Sequence, residues 1–187
     1  MTLPVVVVLA LLIGGLAAPN TPPAGGPAPP TSAVLPPITV AAPPVSASTQ
    51  PPCTALLQAL PVRLDGLAPR VVHPQPDSPF VVAWGDPAVV LRCGVARPKD
   101  LVPGSSVQYF AIAGRAGRPV YFDRTQTSSA NVFTSVDRAA YVEVSVPSRL
   151  AAGPLPALAD AIAASMPAVC VVDPAETDLS KLCTRRR

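Results

Sequence analysis

Pro79-Phe80-Val81-Val82-Ala83-Trp84-Gly85-Asp86-Pro87-Ala88-Val89-Val90-Leu91-Arg92-Cys93-Gly94-Val95 is the stretch that decides how this chain folds. Two apolar runs, Phe80–Trp84 and Ala88–Cys93, flank a Gly85-Asp86-Pro87 break. This is the pattern of two core strands joined by a turn. In the second run Val89, Leu91 and Cys93 point one way while Val90 and Arg92 point the other, because side chains alternate across a strand. Cys93 therefore belongs to an apolar face and offers a covalent tether to whatever packs there.

The segment before it supplies the partner. Thr54–Leu60 is expected to be a short helix stopped by Pro61, with Leu56, Leu57 and Leu60 on one face. Cys53 precedes Leu56 and Leu57 by three and four residues, so it projects to that same face. Four cysteines allow three connectivities. The facing argument favours Cys53–Cys93, and Cys170–Cys183 would then staple the tail after the last helix. Arg63–Pro79 is rich in proline, and His73-Pro74-Gln75-Pro76-Asp77 reads as a surface loop.

Downstream, Val107–Ala113, Pro119–Asp123 and Asn131–Val136 read as strands separated by Gly-Arg or Thr/Ser turns. Ala139–Val146 alternates most clearly, with Ala140, Val142, Val144 and Val146 against Tyr141, Glu143 and Ser145, one dry face and one wet. Gly153-Pro154 introduces a helix through Met166 whose stripe is Leu155, Leu158, Ile162 and Met166, ended by Pro167. The fold class expected is α+β: an antiparallel sheet of about five to six strands, two helices on one face, stapled by disulfides.

The chain of 187 residues divides into three parts. Residues 1–18 are apolar or small and precede Pro19; they read as a signal peptide or a short membrane anchor, the run being shorter than the roughly 20 residues of a spanning helix. Residues 19–52 hold twelve prolines and no charge, which predicts an extended, proline-rich linker. Residues 53–187 form a single domain with a C-terminal tail. An even cysteine count behind an export signal favours disulfides and an extracytoplasmic location.

Charge and motifs narrow the function. No Asp, Glu, Lys or Arg occurs before Arg63, and the net charge of +3 arises from Arg185, Arg186 and Arg187, the remainder being balanced. A folded basic face for nucleic acid is therefore not expected. The single histidine, His73, removes most acid–base and triad arrangements. There is no G-x-S-x-G elbow, S-x-x-K pair, phosphate loop or dinucleotide fingerprint. No C-x-x-C pair suggests zinc. Paired-carboxylate chemistry would need two of Asp77, Asp86, Asp123, Asp137 and Glu143 to converge on a cleft. No catalytic residue, cofactor or metal ligand is assigned. Arg92 and Arg138 are expected to form surface ion pairs with Asp86 or Asp137, and Asp86 to bond its own turn backbone.

Three segments, C-T-A-L-L-Q-A-L-P, A-W-G-D-P-A-V-V-L-R-C-G-V-A-R-P and D-R-A-A-Y-V-E-V-S-V-P, in that order and spacing, resemble an actinobacterial family known only as domain of unknown function 3515. The resemblance spans roughly Cys53 to Met166. It implies an exported or membrane-anchored protein with cysteines at the positions of Cys53 and Cys93, which agrees with pairing them. It implies no activity.

These readings point to a non-enzymatic binding or accessory module of the cell envelope on a proline-rich stalk. Its partner would be an envelope protein or wall component, with membrane contact through the N-terminal segment if that is retained. Trp84, Asp86 and Arg92 are the candidates for contact. The alternatives are an exported hydrolase with carboxylate or serine groups and a small-ligand-binding domain. Converging carboxylates in a pocket would favour the hydrolase, a large apolar cavity the ligand binder, and an exposed patch around Trp84 the envelope module.

Overall fold

The structure, a computed structural model, describes residues 35–101 and 110–169. In chain order the elements are β1 (Ile38–Ala41), α1 (Gln50–Ala59), β2 (Pro69–Arg70), β3 (Val72–Gln75), β4 (Val81–Trp84), β5 (Val89–Cys93), β6 (Phe110–Ala113), β7 (Pro119–Gln126), β8 (Ala130–Ser135), β9 (Val142–Pro147) and α2 (Leu155–Ser165). Seven strands form an antiparallel sheet in the order β2-β4-β5-β9-β8-β7-β6, and β1 pairs in parallel with β3. The architecture is α+β, with one more strand in the main sheet than the upper expectation, the two-residue β2.

The opening hairpin forms as its alternation dictates. Trp84 pairs with Val89 and Val81 with Arg92 across the turn. Gly85 sits at φ 75°, where its amide donates to the Ala68 carbonyl at 2.8 Å. A side chain there would meet Leu67 at 3.1 Å as well as the left-handed backbone penalty, so glycine is required twice over. On β5, Val89, Leu91 and Cys93 are fully buried while Val90 and Arg92 are half-buried. On β9, Val142, Val144 and Val146 are buried in the same way. Register places Leu91 beside Val144 and Val144 beside Phe133, so the apolar face is continuous across the sheet.

Both helices lie against that face. Cys53 of α1 is disulfide-bonded to Cys93 of β5, with Cα atoms 5.6 Å apart, and α2 contacts α1, β6 and β7. The α2 residues Leu155, Leu158 and Ile162, together with Met166 at the helix end, are buried in one core with Leu56 and Trp84. Fully burying such side chains stabilises by about 1.5–3 kcal/mol each before entropy is counted.

Two parts of the proline-rich sequence are ordered where a spacer and a loop were expected. β1 lies within residues 19–52, and α1 begins at Gln50 rather than Thr54, with Pro51 and Pro52 in its first turn. Proline is tolerated there because first-turn amides have no intrahelical acceptor. β3 contains Val72, His73, Pro74 and Gln75, the core of the expected surface loop. It lies outside the main sheet and, among the described residues, pairs with β1 alone, which leaves Pro74 free of a central-strand requirement. Residues 1–18, expected to be a signal peptide or anchor, residues 19–34 of the expected linker and the expected Cys170–Cys183 bridge lie outside the described residues.

Candidate functional site

The face of the sheet turned away from the helices carries a row of polar side chains in register. Arg92 on β5 pairs with Glu143 on β9, Glu143 with Thr134 on β8, and Thr134 with Asp123 on β7. Strand separation of about 4.8 Å puts Asp123 and Glu143 roughly 10 Å apart at their Cα atoms. Each of these residues occupies the outward position of its strand, so the same alternation that builds the core aligns them.

The segment that follows β5 bounds a cleft over this row. The cleft has a volume of about 270 Å³ and is lined by Lys99, Asp100, Asp123, Thr125, Thr134 and Glu143, with Val95, Ala96 and Pro98 along its edge. A neighbouring groove of about 300 Å³ shares Val95, Ala96 and Glu143 and extends past Arg92 to Ala42, Pro43 and Pro44.

Asp123 is the electrostatic centre of the cleft. It is only 9% exposed. Burial raises its carboxyl above the usual aspartate value and the charge of Asp100 raises it further, opposed by a hydrogen bond from the Arg124 backbone amide. Among the described residues the ion pairs are Arg70–Asp86, Arg92–Glu143 and Arg138–Asp137; Asp100 and Asp123 are in none of these, and Lys99 lines the same cleft. Glu143 differs: its Oε1 accepts from Nε of Arg92 at 3.0 Å and also from Nη2. Three carboxylates thus line one cleft, and among the described residues only Glu143 is ion-paired.

The other sequence candidates fall elsewhere. Trp84 is 1% exposed and lies in the core. Its Nε1 donates to the carbonyls of Pro61 at 3.3 Å and Val62 at 3.2 Å, so it offers no surface to a partner. Asp86 is exposed and pairs with Arg70 at 2.8 Å rather than with its own turn backbone or with Arg92. Its carbonyl accepts from Arg149. Arg92 lies on the open face, paired with Glu143. His73 is exposed on β3.

Asp137 and Arg138 pair as expected, at 2.9 Å, but inside the protein rather than on its surface. Asp137 Oδ1 accepts from the Tyr121 amide at 3.1 Å and its carbonyl from Val169 N at 3.0 Å. Arg138 Nη2 donates to the Pro119 carbonyl at 2.9 Å. The pair therefore ties β7 and the chain after α2 to the loop between β8 and β9. A cavity of about 440 Å³ beside it is lined by Arg118, Tyr121, Arg138 and Met166.

Among the described residues no set of three His, Cys, Asp or Glu side chains is placed to hold a metal ion, and no helix is long and apolar enough to cross a membrane. The Cys53–Cys93 bridge is of the kind that persists in oxidising, extracytoplasmic compartments.

A family model described as protein of unknown function (DUF3515) matches residues 1–171. The chain belongs to this family. The match takes in both bridged cysteines and every residue of the DUF3515 cleft, and it ends before Cys183. No curated protein and no solved structure matches the chain.

Proposed function

We propose that this DUF3515 protein is an exported, stalked binding module of the cell envelope. Its sheet cleft would take a ligand bearing a protonated amine, presented by a wall component or an envelope protein. The observation that carries this reading is the pair Asp100 and Asp123. Asp123 is nearly buried, the charge of Asp100 acts on it, and neither is ion-paired among the described residues. Burial and the charge of Asp100 both disfavour the ionised form of Asp123, and an ammonium group placed between the two carboxylates would relieve this. Thr125 and Thr134 supply hydroxyls for the remaining donors of an ammonium, which needs three acceptors. The uncharged, proline-rich composition of residues 19–34 supports a spacer ahead of the folded domain.

Titration with Nα-acetyl-lysinamide, followed through the backbone amide resonances of β7 and β8, tests the reading. Shifts centred on Asp123, Thr125 and Thr134 that weaken about tenfold in Asp123→Asn are expected for loss of one charged acceptor. Absence of shifts, or equal shifts in the variant, would refute it. Conversion of the probe into a new product would instead move the site to hydrolysis by Asp123 and Glu143.

A further inference from the structure

Glu143 does more than line the cleft. By accepting from Nε and Nη2 of Arg92 it fixes the guanidinium plane, and the remaining Nη1 donates to the Ala41 carbonyl at 3.1 Å. Ala41 is the last residue of β1. The N–H of the same peptide unit, on Ala42, donates to the Gln75 carbonyl at 3.0 Å. That peptide is therefore gripped from both sides, by Arg92 and by the chain of β3.

The other end of β1 is held by a matching device. Arg70 Nε donates to the Pro36 carbonyl at 2.8 Å, and Arg70 is aimed by Asp86, its Nη1 lying 2.8 Å from Oδ1. The Ile38 amide donates to the Val71 carbonyl at 3.0 Å. Each clamp is an arginine oriented by a carboxylate, and each closes on a carbonyl of the incoming linker. Only the clamp at Ala41 shares its carboxylate with the cleft.

We propose that Glu143, Arg92 and the Ala41 carbonyl form a relay that couples the cleft to the docking of β1, so that drawing Glu143 into the cleft releases the linker at its Ala41 end. A cation held at Asp100 and Asp123 lies in the cleft that Glu143 also lines, and it attracts that carboxylate in competition with Arg92. An arginine no longer aimed by Glu143 loses its fixed geometry toward Ala41, since the fork directs its hydrogen bonds only when its plane is set. Among the described residues β1 pairs with β3 alone, so the loss of one clamp is felt by the whole four-residue strand. The release step rests on the cleft reading above; the clamp itself does not.

Amide hydrogen exchange on the full chain separates the two. In Arg92→Ala and Glu143→Gln the Ala42 amide is expected to exchange about tenfold faster, the loss corresponding to one charged hydrogen bond. In Asp86→Asn the increase is expected at Ile38 instead, and the Leu91 and Val144 amides serve as a check that the sheet is intact. Arg92→Lys, which keeps the charge without the fork, should resemble Arg92→Ala. Unchanged Ala42 exchange in both Arg92→Ala and Glu143→Gln would overturn the relay, whatever the cleft binds. If Nα-acetyl-lysinamide shifts the β7 and β8 resonances yet leaves wild-type Ala42 exchange unaltered, the coupling is wrong while the cleft reading stands.

Discussion

Arg92 and Glu143 stand opposite one another on adjacent strands, and their side chains join on the face of the sheet that the helices leave open. The pair marks a division of labour. One face of β5 and β9 makes the core, and the other face holds one carboxylate compensated, while Asp123, two strands further on, is in no ion pair among the described residues.

That contrast has a pH signature. The folded-state pKa of Asp123 is raised, so the folded protein binds this proton more tightly than the unfolded chain, whose value is about 3.9. The contribution is most favourable below the unfolded value and is lost as pH rises through the folded one. Asp123→Asn should therefore be more stable relative to wild type at pH 7 than at pH 3. Urea denaturation at the two pH values checks this, and an unchanged difference would count against the raised value.

Removal of the Cys53–Cys93 bridge, which closes a 40-residue separation, should lower stability by about 3–4 kcal/mol. The double variant Cys53→Ala/Cys93→Ala, compared with wild type by chemical denaturation, is the appropriate pair. Peptide mapping without reductant should recover the 53–93 cross-link from the wild type.

The turn between β6 and β7 is tied to α2 through Asp160, whose carboxylate accepts from the Arg115 and Ala116 amides at 2.8 and 3.1 Å. A Cβ on Gly114 would lie 2.1 Å from Oδ1 of Asp160. Asp160 is too short to yield without losing both bonds. Gly114→Ala should cost about 1–3 kcal/mol, and the cost should shrink in an Asp160→Ala background, where the clash is gone. A double-mutant cycle by thermal unfolding measures this coupling.

Breaking the buried pair by Asp137→Ala should destabilise by about 3–5 kcal/mol, since a buried guanidinium is left facing fewer acceptors. Exchange protection should fall at Tyr121, whose amide donates to the Asp137 carboxylate, and hold better at Val169, whose acceptor is the retained main-chain carbonyl. Loss confined to other parts of the sheet would contradict the tie described for this residue.

Much of the fold is legible in the residues, because burial enforces period. The alternation at Val142, Val144 and Val146, the stripe Leu155–Leu158–Ile162, and the shared facing of Cys53 and Cys93 each place a side chain without knowledge of its neighbours. β1 and β3 are not legible, because prolines at 36, 37, 74 and 76 argue locally for extended or turn structure. Only their mutual pairing, across more than thirty residues, makes them strands. The cleft is half legible. Asp123 and Glu143 appear among the outward carboxylates, but which arginine meets which acid depends on strand register and strand order. Hence Arg92 finds Glu143 and Asp86 finds Arg70. Trp84 stands between: its place in an apolar strand signals core packing, while its carbonyl partners at Pro61 and Val62 lie beyond a helix terminus and are not legible locally.

The most direct test of the central claim is the pH dependence of Nα-acetyl-lysinamide binding, measured by calorimetric titration of wild type and Asp123→Asn. An ammonium that relieves the Asp100–Asp123 repulsion binds the ionised form of Asp123, so wild-type affinity should rise as pH increases through the raised pKa, with proton release on binding. The Asn variant should bind more weakly, without that rise. Affinity that is independent of pH, or that is equal in the two proteins, would contradict the assignment of this cleft to a cationic ligand.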